Sequence, residues 1–149
     1  MNPPENENIA KLTVSEEESI KTAMRAIDNG ALGIAFVVDE NGKFAGLVTD
    51  GDVREAILRG TSVEDPISGI MNTQPVVITG EVTEEELLTL QNSEPIKSKL
   101  GVGSSLKVPV LDGNLGVKDI MVFHHGGRKA APLSHYRSRN LKAVKKVLV

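Results

Sequence analysis

Thr49 and Asp52, a hydroxyl and a carboxylate three positions apart, sit where an apolar stretch gives way to a helical pattern. The stretch reads Gly46-Leu47-Val48-Thr49-Asp50-Gly51-Asp52-Val53-Arg54. A strand that turns into a helix there leaves backbone N–H groups directed outward, a setting that favours anions and sugar hydroxyls. Thr49 can both donate and accept a hydrogen bond, and Asp52 offers two acceptor oxygens. The vicinal hydroxyls of a ribose present two donors, which a carboxylate at this place suits. The competing reading is local: Thr49 or Asp50 caps the helix, and Asp52 lies in a first turn where the helix dipole favours acid. Local chemistry leaves both readings open.

Other candidate groups carry less. His124 and His125 are adjacent on a predicted strand, so their rings point to opposite faces and do not readily share an ion. Glu16–Glu18 and Glu84–Glu86 fall in predicted first helical turns and read as caps. His135-Tyr136 falls in a polar loop with no triad-like order around it. Gly101-Val102-Gly103-Ser104-Ser105 lacks the lysine and the strand–loop–helix context of a phosphate loop. With no nucleophile–base pair and no metal set, the chain reads as a non-enzyme.

The elements that must position Thr49 and Asp52 follow from periodicity. Residues 9–14 read as a first strand. Ser15 and Glu18 make a capping box that opens a helix to about Asp28, with Ile20, Ala23, Met24 and Ile27 on one face and a left-handed stop at Asn29-Gly30. The continuous apolar run Ile34–Val38 reads as a strand covered on both faces. It is joined through an Asn41-Gly42 turn to a strand over residues 44–48. A helix then runs from about Asp50 to Arg59. The order begins again: a short linking helix (66–71), a strand (76–79), a capping box at Thr83 and Glu86 with a helix through Gln91, and a hairpin of residues 107–111 and 117–123 about Gly113-Asn114. Asp39 and Asp112 are 73 positions apart and the boxes at Ser15 and Thr83 are 68 apart, which indicates an internal duplication. At the 73-residue shift Gly46 maps to Asp119, Thr49 to Val122 and Asp52 to His125. The second copy has therefore lost the hydroxyl and the carboxylate, and no helix pattern follows it.

The pattern Gly46, two apolar residues, Thr49, two residues of any kind, Asp52 resembles the ribose-binding signature of CBS domains, the modules named after cystathionine β-synthase. Val37-Val38-Asp39 and Asn41-Gly42 resemble that family's middle hairpin, and the resemblance spans residues 8–125. It is closest to CBS pairs attached to sugar-nucleotide enzymes, above all sugar nucleotidyltransferases, where Thr-Asp-Gly-Asp-x-Arg and a later Ile-Met-Asn (residues 70–72 here) are typical. The resemblance implies an α+β (α/β-like) fold: tandem repeats, each strand–helix–strand–strand–helix, about a pseudo-twofold axis, the second degenerate. It implies one pocket in the cleft between the copies for an adenosine nucleotide (AMP, ADP or ATP) or S-adenosylmethionine. Thr49 and Asp52 would hold the ribose. Gly33, Ile34 and Ala35 would meet the base with backbone groups and apolar surface, and Thr13 to Ser15 would line the other wall. Arg54 faces either phosphates or solvent. The implied role is a regulatory module, commonly a homodimer, that controls a sugar-nucleotide enzyme; a ligand-free dimerisation scaffold is the alternative.

Composition sets the outer bounds. The 149 residues are 40% apolar and only 3% aromatic, with no cysteine. The core must be aliphatic, and neither disulfides nor thiolate chemistry are available. Scarce aromatics argue against a stacking platform for single-stranded nucleic acid. No apolar run approaches the ~18 residues of a membrane span, and the polar start is unlike a secretory signal, so the expected location is cytoplasmic. Residues 1–127 hold all 20 acids and 10 of the 17 Lys and Arg; residues 128–149 hold the other seven bases and no acid. The expected domains are a disordered 1–8, a first repeat at 9–65, a degenerate second repeat at 66–125 and a basic linker at 126–149. The final Lys145-Lys146-Val147-Leu148-Val149 is similar to the opening strand of a sugar-nucleotide epimerase or dehydratase, as though an enzyme followed.

Overall fold

The computed structural model describes residues 9–102, 104–126 and 129–132. The expected disorder of residues 1–8, and most of the basic linker with its terminal strand, lie outside them. The described chain forms two units, one running to Pro75 together with Asp112–Val117, the other made of Val76–Leu111 and the residues from Lys118 onward. Each mixes a small sheet with helices, an α+β fold.

The first unit is built on β2 (Ile34–Val38), flanked by β1 (Thr13–Ser15) and β3 (Phe44–Thr49) in the order β1-β2-β3. β1 runs parallel to β2 and β3 runs antiparallel to it. Four of the five β2 side chains are buried, which is why its sequence is apolar without alternation. Helix α1 (Ile20–Gly30) buries Ile20, Ala23, Ala26 and Ile27. With Val37, Val48 and Val53 these make an aliphatic core. Helix α2 (Asp50–Leu58) follows β3 directly, and Ile67–Gly69 is a short 3-10 turn.

Three local expectations are corrected. Residues 9–11 are helical and the first strand is confined to 13–15. Ser15 does not open α1; the N-cap is Ser19, whose Oγ accepts from Thr22 N. The carbonyls of Glu16 and Glu18 are taken by Ser68 N and Ile67 N, so residues 16–18 form a turn and the helix starts after it. The left-handed stop is Ala31 at φ 56°, one residue past Gly30. Gly30 stays helical, and a Cβ there would overlap the Leu12 side chain.

The second unit repeats strand, helix, strand, strand: β4 (Ile78–Thr79), α3 (Glu84–Gln91), the extra short helix α4 (Glu94–Lys97), β5 (Ser105–Leu111) and β6 (Val117–His124). A further strand, β7 (Ala131–Pro132), completes the order β4-β5-β6-β7. The second sheet thus extends into the stretch assigned to the linker. Ile78, Leu87, Ile96, Val108, Val110, Met121, Phe123 and Ala130 form its own core. Thr83 and Glu86 make a true capping box.

The duplication is clearest at the two hairpin turns. Asp39 Oδ1 accepts from Asn41 N and Lys43 N at 2.8 and 3.0 Å. Asp112 Oδ1 accepts from Asn114 N and Gly116 N at the same two distances. Asp39 N donates to Lys43 O and Asp112 N to Gly116 O. Each partner is shifted by 73 positions. The helix caps pair differently: Ser19 matches Thr83, a shift of 64 rather than the 68 read from Ser15. The second copy therefore carries nine more residues between cap and turn, which accommodate α4 and the loop after it.

Candidate functional site

Thr49 ends β3 in extended backbone (φ −107°, ψ 165°) and caps α2. Its Oγ1 accepts from Asp52 N at 3.2 Å, and Asp52 Oδ2 accepts from Thr49 N at 3.0 Å. The cap expected on local grounds is therefore formed, by the two residues also expected to hold a ribose. It does not use them up. The Thr49 hydroxyl hydrogen and Asp52 Oδ1 have no partner among the described residues, and both side chains are half-buried.

The entry to β2 is stitched to the same corner. Gly33, at φ +72°, accepts from Asp50 N at 3.1 Å, and Ile34 lies opposite Thr49 in the β2–β3 register. The Ile34 side chain is buried and Ala35 is wholly enclosed in the core, so these two can offer a ligand their backbone but not the apolar faces expected of them. Thr13 pairs with Phe36 and Ser15 with Val38 on the far side of β2. Val38 is four residues along β2 from Ile34, about 13 Å at the usual strand rise, so Ser15 is well removed from the corner. The Thr13 hydroxyl donates to Ile9 O at 2.7 Å. Arg54 is exposed on α2. The structure thus gathers Gly33, Ile34, Thr49 and Asp52, holds Thr13 nearer than Ser15, and leaves Arg54 outward.

An open groove of about 710 Å³ lies beside the corner along α1. Gly33 is the one sequence-predicted residue that lines it. Asp50, read from sequence only as a cap, lines it as well, with Asp28, Lys21 and Arg25. The groove therefore has two acids and two cations on an apolar floor that includes Met24 and Ile27. The Lys21–Glu64 contact, at 4.0 Å between exposed side chains, contributes little. Asp50 reaches the groove through its cross-strand bond to Gly33, a pairing that its position in the sequence does not signal.

Gly46 has a structural reason. Asn72 pairs with Leu47 by two backbone bonds, of 3.0 and 2.8 Å, on the outer edge of β3. A Cβ on Gly46 would come within 2.6 Å of Asn72 O. The glycine and the later Asn72 thus serve one contact.

The second copy offers no such corner. Val122 is buried within β6, His125 lies in an exposed turn, and the chain returns as β7 rather than as a helix. Among the described residues no group of three His, Asp or Glu could hold a metal ion, and no helix is long and apolar enough to cross a membrane.

Known proteins resemble the chain. The family model for the CBS domain matches residues 6–59. An arabinose 5-phosphate isomerase from Pseudomonas aeruginosa is 31% identical over 104 residues, covering 69% of this chain and 31% of the isomerase. The chain thus spans under a third of that relative. A CBS-domain protein from Agrobacterium tumefaciens superposes with a TM-score of 0.55 at 19% identity, over 78% of this chain and 79% of that one. A CBS domain protein from Pyrobaculum aerophilum, complexed with AMP, gives 0.57 at 13% identity over 71% and 75%. At these identities the two structures bear on the fold alone.

Proposed function

We propose that the chain, whose residues 6–59 match the CBS-domain family model, is a regulatory module binding an adenosine nucleotide at the β3–α2 corner of its first unit. The observation that carries this reading is what the cap leaves over. Asp52 Oδ1 can accept from a ribose hydroxyl and the Thr49 hydroxyl can donate to one, beside the backbone of Gly33 and Ile34. That backbone can hydrogen-bond the edge of a purine. The AMP complex of the Pyrobaculum aerophilum relative supports the adenosine class; AMP, ADP, ATP and S-adenosylmethionine all present the diol.

Binding would act by differential affinity for two states of an attached or associated enzyme. The arabinose 5-phosphate isomerase relative supports a sugar-metabolising partner, the class that also contains the sugar nucleotidyltransferase and the epimerase or dehydratase expected from sequence. Met24, Ile57 and Leu58, exposed on α1 and α2, support a homodimer through helix faces. We assign no catalytic step to the chain, and a cytoplasmic setting accords with its lack of cysteine.

A second reading, a ligand-free dimerisation scaffold, is favoured by one observation: Thr49 and Asp52 already satisfy each other as a cap. Titration calorimetry and thermal melts against AMP, ADP, ATP and S-adenosylmethionine separate the two. A sensor melts at higher temperature with at least one of them, by mass action. A flat response to all four supports the scaffold and overturns the nucleotide reading.

A further inference from the structure

The described residues hold two Asn-Gly pairs, Asn29-Gly30 and Asn41-Gly42, and the fold treats them differently. Asn41 and Gly42 are exposed in the turn between β2 and β3. The Asn41 side-chain amide has no hydrogen-bond partner among the described residues. A Cβ on Gly42 would meet nothing within 4 Å, so there is room at this turn for a ring to form. We propose that Asn41 is a modification site at which the chain deamidates itself, giving the first unit a turn of limited lifetime.

The Gly42 backbone nitrogen attacks Asn41 Cγ. An N–Cγ bond forms, the Cγ–Nδ2 bond breaks, and ammonia leaves with the proton given up by Gly42 N. Water then opens the cyclic imide at one of its two carbonyl carbons. The product is aspartate or, with the main chain rerouted through the side chain, isoaspartate. Water is the only reactant consumed. Glycine suits the step because no side chain shields its nitrogen and its backbone is free to turn. Gly42 N must first release Asp39 O, a single 3.0 Å bond in an exposed turn, and such bonds open at low cost. An isoaspartate lengthens the main chain inside the turn, which pulls Lys43 away from its bonds to Asp39.

Two other asparagines separate the requirements. Gly30 follows Asn29 inside α1, where its N–H belongs to the helix ladder, and it lies so close to Leu12 that a Cβ would overlap that side chain. Asn114 stands 73 positions after Asn41, in a turn whose aspartate makes the same pair of backbone bonds. It is followed by Leu115, whose branched side chain crowds the attacking nitrogen. Asn29 thus has the glycine without the turn, and Asn114 has the turn without the glycine.

Incubation of the full chain at mildly alkaline pH, followed by tryptic digestion and tandem mass spectrometry, tests this. Asn29 and Asn41 fall in the same tryptic peptide, residues 26–43, so their conversion is read side by side. In the folded chain Asn41 should convert at least about tenfold faster than Asn29, whose glycine amide is held by helix bonds, and should also outpace Asn114. In urea, which removes the fold, Asn29 should draw level with Asn41 while Asn114 stays slow. Asn41→Gln, which needs a larger ring, should remove the product and leave the melting temperature unchanged. In the aged parent the Lys43 amide should exchange faster with solvent, while the Asp52 amide, in the cap at the other end of β3, keeps its protection. Conversion of Asn41 no faster than that of Asn29 in the folded chain, or no conversion of Asn41 at all, would overturn the proposal.

Discussion

Asp52 answers to two demands, and substitutions separate them. Its Oδ2 fixes the start of α2 through Thr49 N, while Oδ1 is available to a ligand. Asp52→Ala removes both and should cost about 1 kcal/mol of stability as a lost cap, so lost binding in that variant would be ambiguous. Asp52→Asn keeps an acceptor for Thr49 N but gives up the charge and turns the second oxygen into a donor. Melting should shift by only a few degrees, while affinity for an adenosine nucleotide falls at least about tenfold, the scale of a hydrogen bond to a charged group. Calorimetry beside a thermal melt reads both quantities, and undiminished affinity in the Asn variant would remove Asp52 from the site. Gly46 stands apart from the ligand question. Gly46→Ala forces a Cβ toward Asn72 O and should destabilise by about 1–3 kcal/mol, the range for overpacking, as urea denaturation would show.

The paired hairpin turns show what an element demands of its residues. The two turns share the bonds made by Asp39 and Asp112, yet the left-handed position is Gly42 (φ 77°) in the first and Leu115 (φ 63°) in the second. Leucine pays a steric penalty there of about 1–2 kcal/mol. Leu115→Gly should therefore stabilise the protein by something near 1 kcal/mol, reduced by the greater freedom glycine has when unfolded, and a melt against the parent chain would measure it. Gly42→Leu should lose a similar amount. These turns were legible in the sequence because Asp39 and Asp112 act on backbone within four residues. The β3–α2 corner was legible for the same reason: the cap, the strand end and the helix start are all local. The start of α1 was not. Ser15 and Glu18 have the spacing of a capping box, and Glu18 does reach back to Ser15 N. The helix is nevertheless displaced by residues 67 and 68, about fifty positions away, which claim the carbonyls it would need. The resemblance puts Ser15 on the wall of the pocket, while strand register sets it opposite Val38 at the far end of β2. Asp50 was missed because its role depends on Gly33, a partner across the sheet that spacing does not reveal.

At the scale of the whole molecule the chain has two separate aliphatic cores, and the second can be followed by itself. Two charged groups of the second unit are displaced from their ordinary range in ways that matter at opposite ends of the scale. Glu84 is held below the usual carboxylate range by the hydrogen bond and charge of Lys129. That contribution is present above the ordinary glutamate range and is lost as pH falls through the lowered value, so acid weakens the exposed Lys129–Glu84 contact. Lys107, half-buried on β5 next to Val108 and Val110, is pushed below the usual lysine range by burial of its charge. Between its folded value and the ordinary lysine value the unfolded chain binds a proton that the folded chain does not. Stability must therefore rise with pH across that window, and below it burial of the charge is a standing penalty. Lys107→Met should be more stable than the parent at pH 7 and should lack the alkaline rise, with the difference between the two chains shrinking as pH approaches the ordinary lysine range. Urea denaturation of parent and variant from pH 7 to 10, with hydrogen exchange to locate the change in the second unit, reads this directly. A variant that tracks the parent at every pH would mean that the Lys107 ammonium reaches water in solution and that this part of the second core is more open than its packing indicates.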